Sequence, residues 1–470
     1  MDSCGLELAE VDLMEYMPGR RWLAAGVRFD VKRQFYPTMR LLLPLLLLTF
    51  FVSAQSIPQT FSVAKSPAEA GFSADRLNRL DAWLQELIDK DIAPNAVTFV
   101  AHRGKVVHYK AFGYSNLAKK TPLKRDDLYR IASQSKAITT VTLMTLYEEE
   151  KFLLDDPISK YIPAFKQPKV LVKYDKKDPT GGTYQTRPAK SEITIRQLLS
   201  HNAGLPYEHP LDQRPEFKIP FFNSTAPDKL EDVVNKLATR PLLRDPGRSD
   251  ASADSTGTGF TYGLNIDVIG RLIEVLTGRP LDVVMRERVL EPLGMTDTYF
   301  YLPDTKAGRL VELYTKASMD KPLTLHTNEA YRNFAVSGSR TFFSGGAGLI
   351  SSVEDYAKFC QMLLNGGTFN NKRILGRKTV EMMLRNQIGA AEVWDRKDKF
   401  GLGFQLITEQ SHYGDQASPG SYTWGGMYCS EFTIDPKEEL ILLVFTNVQP
   451  YAYYSDFVKK FRMAVYQALE

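Results

Sequence analysis

The chain has 470 residues, 43% of them hydrophobic and 24% charged, which excludes a disordered polymer and leaves material for a large core. A formal charge of +4 without a long basic block gives nucleic-acid binding no electrostatic footing, so a small-molecule or peptide ligand is the expectation. The six histidines (His102, His108, His201, His209, His326 and His412) form no His-Glu-x-x-His or clustered pattern, and neither a metal nor a cofactor is expected.

Residues 39–54 read as a signal peptide. Arg40 supplies a positive start, the run 41–52 is apolar apart from Pro44 and Thr49, and Val52, Ser53 and Ala54 form a small-residue exit. The run is short of the roughly 20 apolar residues a membrane span needs, so the expectation is an exported chain, periplasmic or secreted, with no stable span after cleavage. Residues 1–38 carry mixed charge and no period, and are expected to be a non-native extension upstream of a true start at Met39. Residues 55–470 are then expected to form one domain. They keep two cysteines, Cys360 in a helix-like stretch and Cys429 in a strand-like one, which reads as two buried thiols rather than a disulfide framework.

Residues 73–87 repeat apolar positions at helical spacing behind Ser73, and residues 96–101 and 106–112 are strand-like on either side of a His-Arg-Gly-Lys turn. The middle alternates helical patterns, as at 138–147 and 195–199, with loops rich in Gly, Pro, Asp and Ser. Residues 403–408, 422–434 and 440–447 read as three strands, the last two turning at Asp435, Pro436 and Lys437, and residues 455–469 as a closing helix. This order predicts an α/β fold. An antiparallel sheet built from both chain ends (about 55–115 and 340–470) carries flanking helices, with a mainly helical region (about 116–339) inserted between. A cleft at the junction is the default site.

Ser133 and Lys136 open the long apolar helical run. At i and i+3 their side chains share one helix face, and the first turn of a helix favours developing negative charge. A serine hydroxyl beside an amine is a candidate nucleophile with its activator. Spacing alone does not single them out, because Ser62 with Lys65 and Ser318 with Lys321 repeat it without a comparable run. A further helix pattern has Asn265 as a candidate cap, Ile266, Ile269, Leu272, Ile273 and Leu276 as its apolar face and Gly278 with Pro280 as its end, behind a loop that carries Tyr262, one of 23 tyrosines, which the pattern alone reads as packing. Beside a cation such as Lys136, that phenol is able to pass a proton between Ser133 and a leaving group. Which of Lys136 and Tyr262 is the base stays open, because a hydrogen-bonded pair titrates together. No Gly-x-Ser-x-Gly elbow occurs, and the glycine-rich stretch 345–349 has no phosphate-loop lysine and reads as turns and close packing. His201 reads as a hydrogen-bonding loop residue.

Ser133-x-x-Lys136, with the stretches 66–80, 130–137, 154–163, 193–205, 345–367 and 400–404 in order, resembles the serine β-lactamase and penicillin-binding-protein superfamily, especially its class C and family VIII carboxylesterase branch. The resemblance implies Ser133, Lys136 and Tyr262 as the catalytic set. It also implies that Trp424, Gly425 and Gly426 stand where a Lys-Thr-Gly element normally does, and that the amides of Ser133 and Met427 form an oxyanion hole. Leu264 stands where class C enzymes carry an asparagine that orients a lactam, and Trp424 removes the cation that binds a penicillin or D-alanyl carboxylate. Both departures favour small esters. The expected activity is therefore a Ser-Lys-Tyr carboxylesterase acting through an acyl-enzyme. Alternatives are a β-lactamase or D-amino-acid peptidase, and a sensor or scaffold without turnover.

Overall fold

The computed structural model describes residues 57–470, apart from residues 176, 179–181, 224–225, 248–259, 395 and 413–415. The proposed extension and signal peptide lie outside the described residues. A nine-stranded sheet organises the chain. Its main strands are β1 (Ser62–Val63), β2 (Asn95–His102), β3 (Lys105–Asn116), β4 (Lys399–Phe400), β5 (Gln405–Leu406), β6 (Tyr422–Gly426), β7 (Ser430–Asp435) and β8 (Leu440–Phe445). They lie in the order β1-β3-β2-β8-β7-β6-β5-β4, antiparallel except for the short β1 beside β3. The centre of the sheet is the pairing of β2 with β8, from Leu440 against His102 to Phe445 against Val97, so the two chain ends meet there as expected.

Period-two alternation sorts side chains onto two cores. Val100, Leu440, Leu442 and Val444 face helix α1 (Ala74–Asp89) and the closing helix α5 (Tyr454–Ala468). Helix α1 presents Leu77, Leu80, Leu84 and Leu87, and α5 presents Phe457, Val458, Phe461 and Val465, each set at helical spacing. Val97, Phe99, Ala101, Ile441, Leu443 and Phe445 face the other way, into a larger core holding helices α2 (Ser135–Tyr147), α3 (Asn265–Thr277) and α4 (Val353–Leu364). Every residue of α2 from Ser135 to Leu146 is buried, which explains why its apolar pattern is not one-sided.

Two details differ from the sequence reading. The stretch 422–434 is two strands rather than one, reversing at residues 427–429, where Cys429 adopts φ 63° and its N–H donates to Gly426 O at 2.9 Å. The turn at Asp435 is as expected, with the carboxylate accepting from the N–H groups of Lys437 and Glu438. Leu264, not Asn265, precedes the first turn of α3, while Gly278 ends it in the left-handed region at φ 68°. Asn265 spends its amide on tertiary bonds. Both Cys360 and Cys429 are buried free thiols. Among the described residues, no helix is long and apolar enough to cross a membrane.

Candidate active site

Ser133 lies in a 3-10 turn, Ala132–Gln134, that leads directly into α2. The turn is tightly held. Ile131 N–H donates to Leu349 O at 3.1 Å, Ser135 Oγ accepts from Leu349 N–H at 3.0 Å, and Tyr356 Oη donates to Gln134 O at 2.9 Å. Ala132 just before it sits at φ 42°, a conformation an alanine adopts only when its surroundings impose it. Ser133 thus stands partly exposed at the helix entrance on a rigid base.

Lys136 is buried, with 1% of its surface exposed. Its Nζ donates to Ser133 Oγ at 3.1 Å, Tyr207 Oη at 2.7 Å and Gly346 O at 2.7 Å, so each of the three N–H bonds of an ammonium has an acceptor. The same nitrogen lies 4.7 Å from the centre of the Tyr262 ring. Burial disfavours the ammonium, but Tyr207 and then Tyr262 outweigh it and hold its pKa above the ordinary lysine value. Packing around the Tyr207 phenol pushes its pKa upward, so the resting pair is ammonium and neutral phenol.

Tyr262, 129 positions along the chain from Ser133, arrives from the loop before α3 and lies beside Tyr207, ring centres 5.3 Å apart. Its hydroxyl accepts from Trp424 Nε1 at 3.3 Å. His201 positions this loop: its carbonyl accepts from Thr261 N–H at 3.0 Å, and its Nδ1 accepts from Asn265 Nδ2 at 2.9 Å. Its ring packs 4.8 Å from that of Tyr262, and burial followed by the nearby Lys136 charge keeps the imidazole neutral, its pKa far below the usual histidine value. Asp267, on the first turn of α3, accepts from Ser344 Oγ at 2.6 Å and Gly346 N–H at 3.3 Å, and so fixes the loop whose carbonyl receives Lys136. Gly346 has no room for a side chain, because a Cβ there falls 2.5 Å from Asp267 Oδ2.

Strand β6 closes the other side. A Cβ on Gly426 would stand 2.3 Å from Ile131 O, so Gly426 lets β6 press against the Ser133 turn, while one on Gly425 would stand 2.6 Å from Tyr454 Oη, so Gly425 leaves room for the closing helix. Ser133, Tyr262, Trp424, Gly425, Gly426 and Met427 line a common cleft of about 270 Å³. The structure therefore brings together all the residues singled out from the sequence except Leu264, which is buried and is not one of the cleft-lining residues. Sequence reasoning missed Tyr207 and Gly346, which bond Lys136, and Trp394 and Arg396, which line the cleft. A signal for Tyr207 existed: it follows the family-like stretch 193–205 by two residues. Among the described residues no cluster of His, Cys, Asp and Glu is arranged to hold a metal.

Comparison with known proteins finds relatives that match most of the chain. An uncharacterised Mycobacterium tuberculosis protein is 31% identical over 377 residues, covering 77% of this chain and 88% of its own length. A putative D-alanyl-D-alanine carboxypeptidase of Salmonella typhi is 27% identical over 425 residues, covering 85% and 89%. Among solved structures, EstCE1, a hydrolase with promiscuous acyltransferase activity, superposes with a TM-score of 0.68 at 26% identity over 83% of this chain and 98% of its own. A penicillin-binding-protein homologue from Caulobacter crescentus shares the fold, with a TM-score of 0.62 at 20% identity over 85% of this chain and 99% of its own. With the Beta-lactamase family model matching residues 80–460 across the sheet, the Ser133 turn and the loop of Tyr262, the chain belongs to the β-lactamase family of penicillin-binding-protein-like hydrolases.

Proposed function

We propose that the protein is a serine hydrolase that cleaves small carboxylic esters by two-step acyl transfer, with Ser133 as nucleophile. The observation that carries this reading is the 3.1 Å bond from Lys136 Nζ to Ser133 Oγ at the edge of a cleft that Tyr262 also lines. In the fraction of enzyme whose Lys136–Tyr207–Tyr262 cluster has released one proton to solvent, Ser133 Oγ bonds to the ester carbonyl carbon and its own proton refills the cluster, which titrates as a unit. The amides of Ser133 and Met427 receive the oxyanion. Collapse breaks the bond to the alcohol, which leaves with the cluster's proton. Water then attacks the acyl-enzyme, gives a proton back to the cluster, and releases the acid as Ser133 regains its hydrogen.

Trp424 in place of a lysine, and an aromatic wall of Trp394, Trp424 and Tyr262, support esters over lactams. The similarity to a named esterase structure supports the same choice. A second reading, a D-amino-acid peptidase, draws on the Salmonella relatives described as putative D-alanyl-D-alanine carboxypeptidases. Residues 55–470 act as one hydrolase domain in this reading, exported through the signal-like segment at 39–54. Hydrolysis of p-nitrophenyl butyrate, nitrocefin and a D-alanyl-D-alanine peptide by wild type and Ser133→Ala tests it. Ester turnover that Ser133→Ala abolishes is the expected result, and parental ester rates in Ser133→Ala defeat the assignment.

A further inference from the structure

Two N–H groups that receive one oxyanion must be held to about 0.5 Å of their working geometry, and those of Ser133 and Met427 belong to segments that meet only in the folded chain. Both residues line the cleft. Among the described residues neither N–H donates to a protein acceptor, whereas those of Gln134 and Cys429, in the same two turns, are taken by Ile131 O at 3.1 Å and Gly426 O at 2.9 Å. The close approach of Gly426 to Ile131 limits how near the two turns come, but a contact of that kind only repels. An attractive link is needed to fix their separation.

Asn447, just beyond β8 and fully buried, supplies that link. Its side-chain amide pairs with the backbone of Arg130 as a neighbouring strand would: Oδ1 accepts from Arg130 N–H at 3.3 Å, and Nδ2 donates to Arg130 O at 3.4 Å. Arg130 leads straight into the Ser133 turn. The residues on either side of Asn447 hold the other turn, with Thr446 N–H donating to Cys429 O at 3.0 Å and Val448 N–H to Tyr428 O at 3.1 Å. One residue thus ties both arms together, its side chain reaching the segment before Ser133 and its neighbours' amides reaching the turn that carries Met427.

The orientation of the amide is fixed by its surroundings. Arg130 Nη1 donates to the same Oδ1 at 3.2 Å, and Asn447 Nδ2 also donates to Thr446 O at 2.8 Å, so a flipped amide would set donors against donors. The Arg130 guanidinium is itself buried, and its acceptors are the carbonyl oxygens of Val311, Arg332 and the Asn447 side chain. The bonds between Asn447 and the Arg130 backbone are long, and each contributes little by itself. Removing the amide leaves buried donors and acceptors unpaired on both sides, which costs more than the bonds themselves contribute.

We infer that Asn447, locked by Arg130, is a positioning residue of the oxyanion hole and sets the separation of the Ser133 and Met427 N–H groups. This deepens the ester-hydrolase reading and rests on Ser133 being the nucleophile. Neither Asn447 nor Arg130 is one of the cleft-lining residues, so both act through those two amides.

The test compares p-nitrophenyl butyrate with O-(p-nitrophenyl) thionobutyrate, in which sulfur replaces the carbonyl oxygen and accepts hydrogen bonds poorly. Wild type, Asn447→Ala and Asn447→Asp are assayed, with each rate normalised to alkaline hydrolysis. A displaced oxyanion hole slows the oxygen ester and spares the sulfur ester, whereas general damage to the site slows both alike. In Asn447→Ala, kcat for the oxygen ester is expected to fall tenfold or more with KM within threefold, and the oxygen-to-sulfur ratio of kcat/KM to fall with it. Asn447→Asp keeps the acceptor for Arg130 and loses the Nδ2 donor, so it is expected to fall between. A ratio unchanged in both variants, or loss of the near-ultraviolet circular dichroism of both, overturns the inference. Amide hydrogen exchange on the full chain gives a readout that needs no turnover: faster exchange in both 131–134 and 427–429 in Asn447→Ala upholds the link, and a change in one segment or neither rejects it. Should wild type hydrolyse neither ester and Ser133 resist a fluorophosphonate, the hydrolase reading fails by itself, and the exchange measurement alone decides the link.

Discussion

Replacing Tyr207 by phenylalanine removes one oxygen from the centre of the site. The ring contacts with Tyr262 at 5.3 Å and Phe221 at 6.2 Å remain available to phenylalanine, so the fold has little to lose. Lys136 keeps Ser133 Oγ and Gly346 O as acceptors, but its third N–H, which donates to Tyr207 Oη at 2.7 Å, faces a hydrocarbon. A hydrogen bond to a charged group contributes about 1.5–3 kcal/mol. If that stabilisation carries into the transition state, its loss lowers kcat/KM roughly 10- to 150-fold. Tyr207 is also one of the groups that hold the Lys136 pKa up, so the limb of the pH–rate profile set by Lys136 moves to lower pH in Tyr207→Phe. The assay is p-nitrophenyl butyrate hydrolysis from pH 5 to 10, with near-ultraviolet circular dichroism to verify packing. A folded Tyr207→Phe within twofold of wild type, with an unmoved profile, refutes the reasoning.

Gly426→Ala is expected to abolish ester hydrolysis and slow fluorophosphonate labelling, because its Cβ falls 2.3 Å from Ile131 O and must displace either β6 or the Ser133 turn; normal labelling would argue against this packing. Trp424→Phe loses the Nε1 donor 3.3 Å from Tyr262 Oη, a neutral bond of about 0.5–1.5 kcal/mol, and a roughly 2- to 12-fold fall in kcat is expected from steady-state kinetics. His209 is lowered from 6.5 to about 4 by burial and then by Arg240, while its ring bonds Pro241 O and Leu211 N–H. The unfolded chain therefore takes up a proton near pH 6.5 that the folded chain refuses until about pH 4, so stability is full above 6.5 and falls through that window. Urea unfolding should show roughly 2–3 kcal/mol of pH-dependent loss between pH 7.5 and 4.5 that His209→Gln removes; an equal slope in the variant contradicts it.

Much of this was legible before the structure. Strand-length apolar runs bounded by turn residues located β2, β3 and β8: β2 and β8 are buried along their length and read as continuous runs, and β3 begins with alternating burial. The Ser133–Lys136 pair stood out only because a buried helix follows it; Ser62, with the same spacing to Lys65, lies instead in an exposed two-residue strand. Tyr262 was found through the family resemblance, to which the helical pattern of α3 behind it conforms. Tyr207 was not, since it sits among 23 tyrosines on a loop with no period, and only the tertiary fold carries it to Lys136. The break in 422–434 was hidden because Met427, Tyr428 and Cys429 have strand-like side chains, while the turn is made by the backbone, with Cys429 at φ 63° and its N–H on Gly426 O. Arg396 was hidden for a related reason: a loop that contributes no element of its own supplies a cation to a cleft formed elsewhere.

The most direct measurement is the site of covalent labelling by a fluorophosphonate on the full chain, read by tandem mass spectrometry. Trypsin cleaves after Arg130 and Lys136, giving a six-residue peptide that contains both Ser133 and Ser135. Ser135 Oγ is committed to the Leu349 amide inside α2, whereas Ser133 Oγ faces Lys136 Nζ at the cleft. The account predicts a single adduct that fragmentation places on Ser133. An adduct on Ser135 or on another peptide, or ester turnover by protein that bears no adduct, would contradict it.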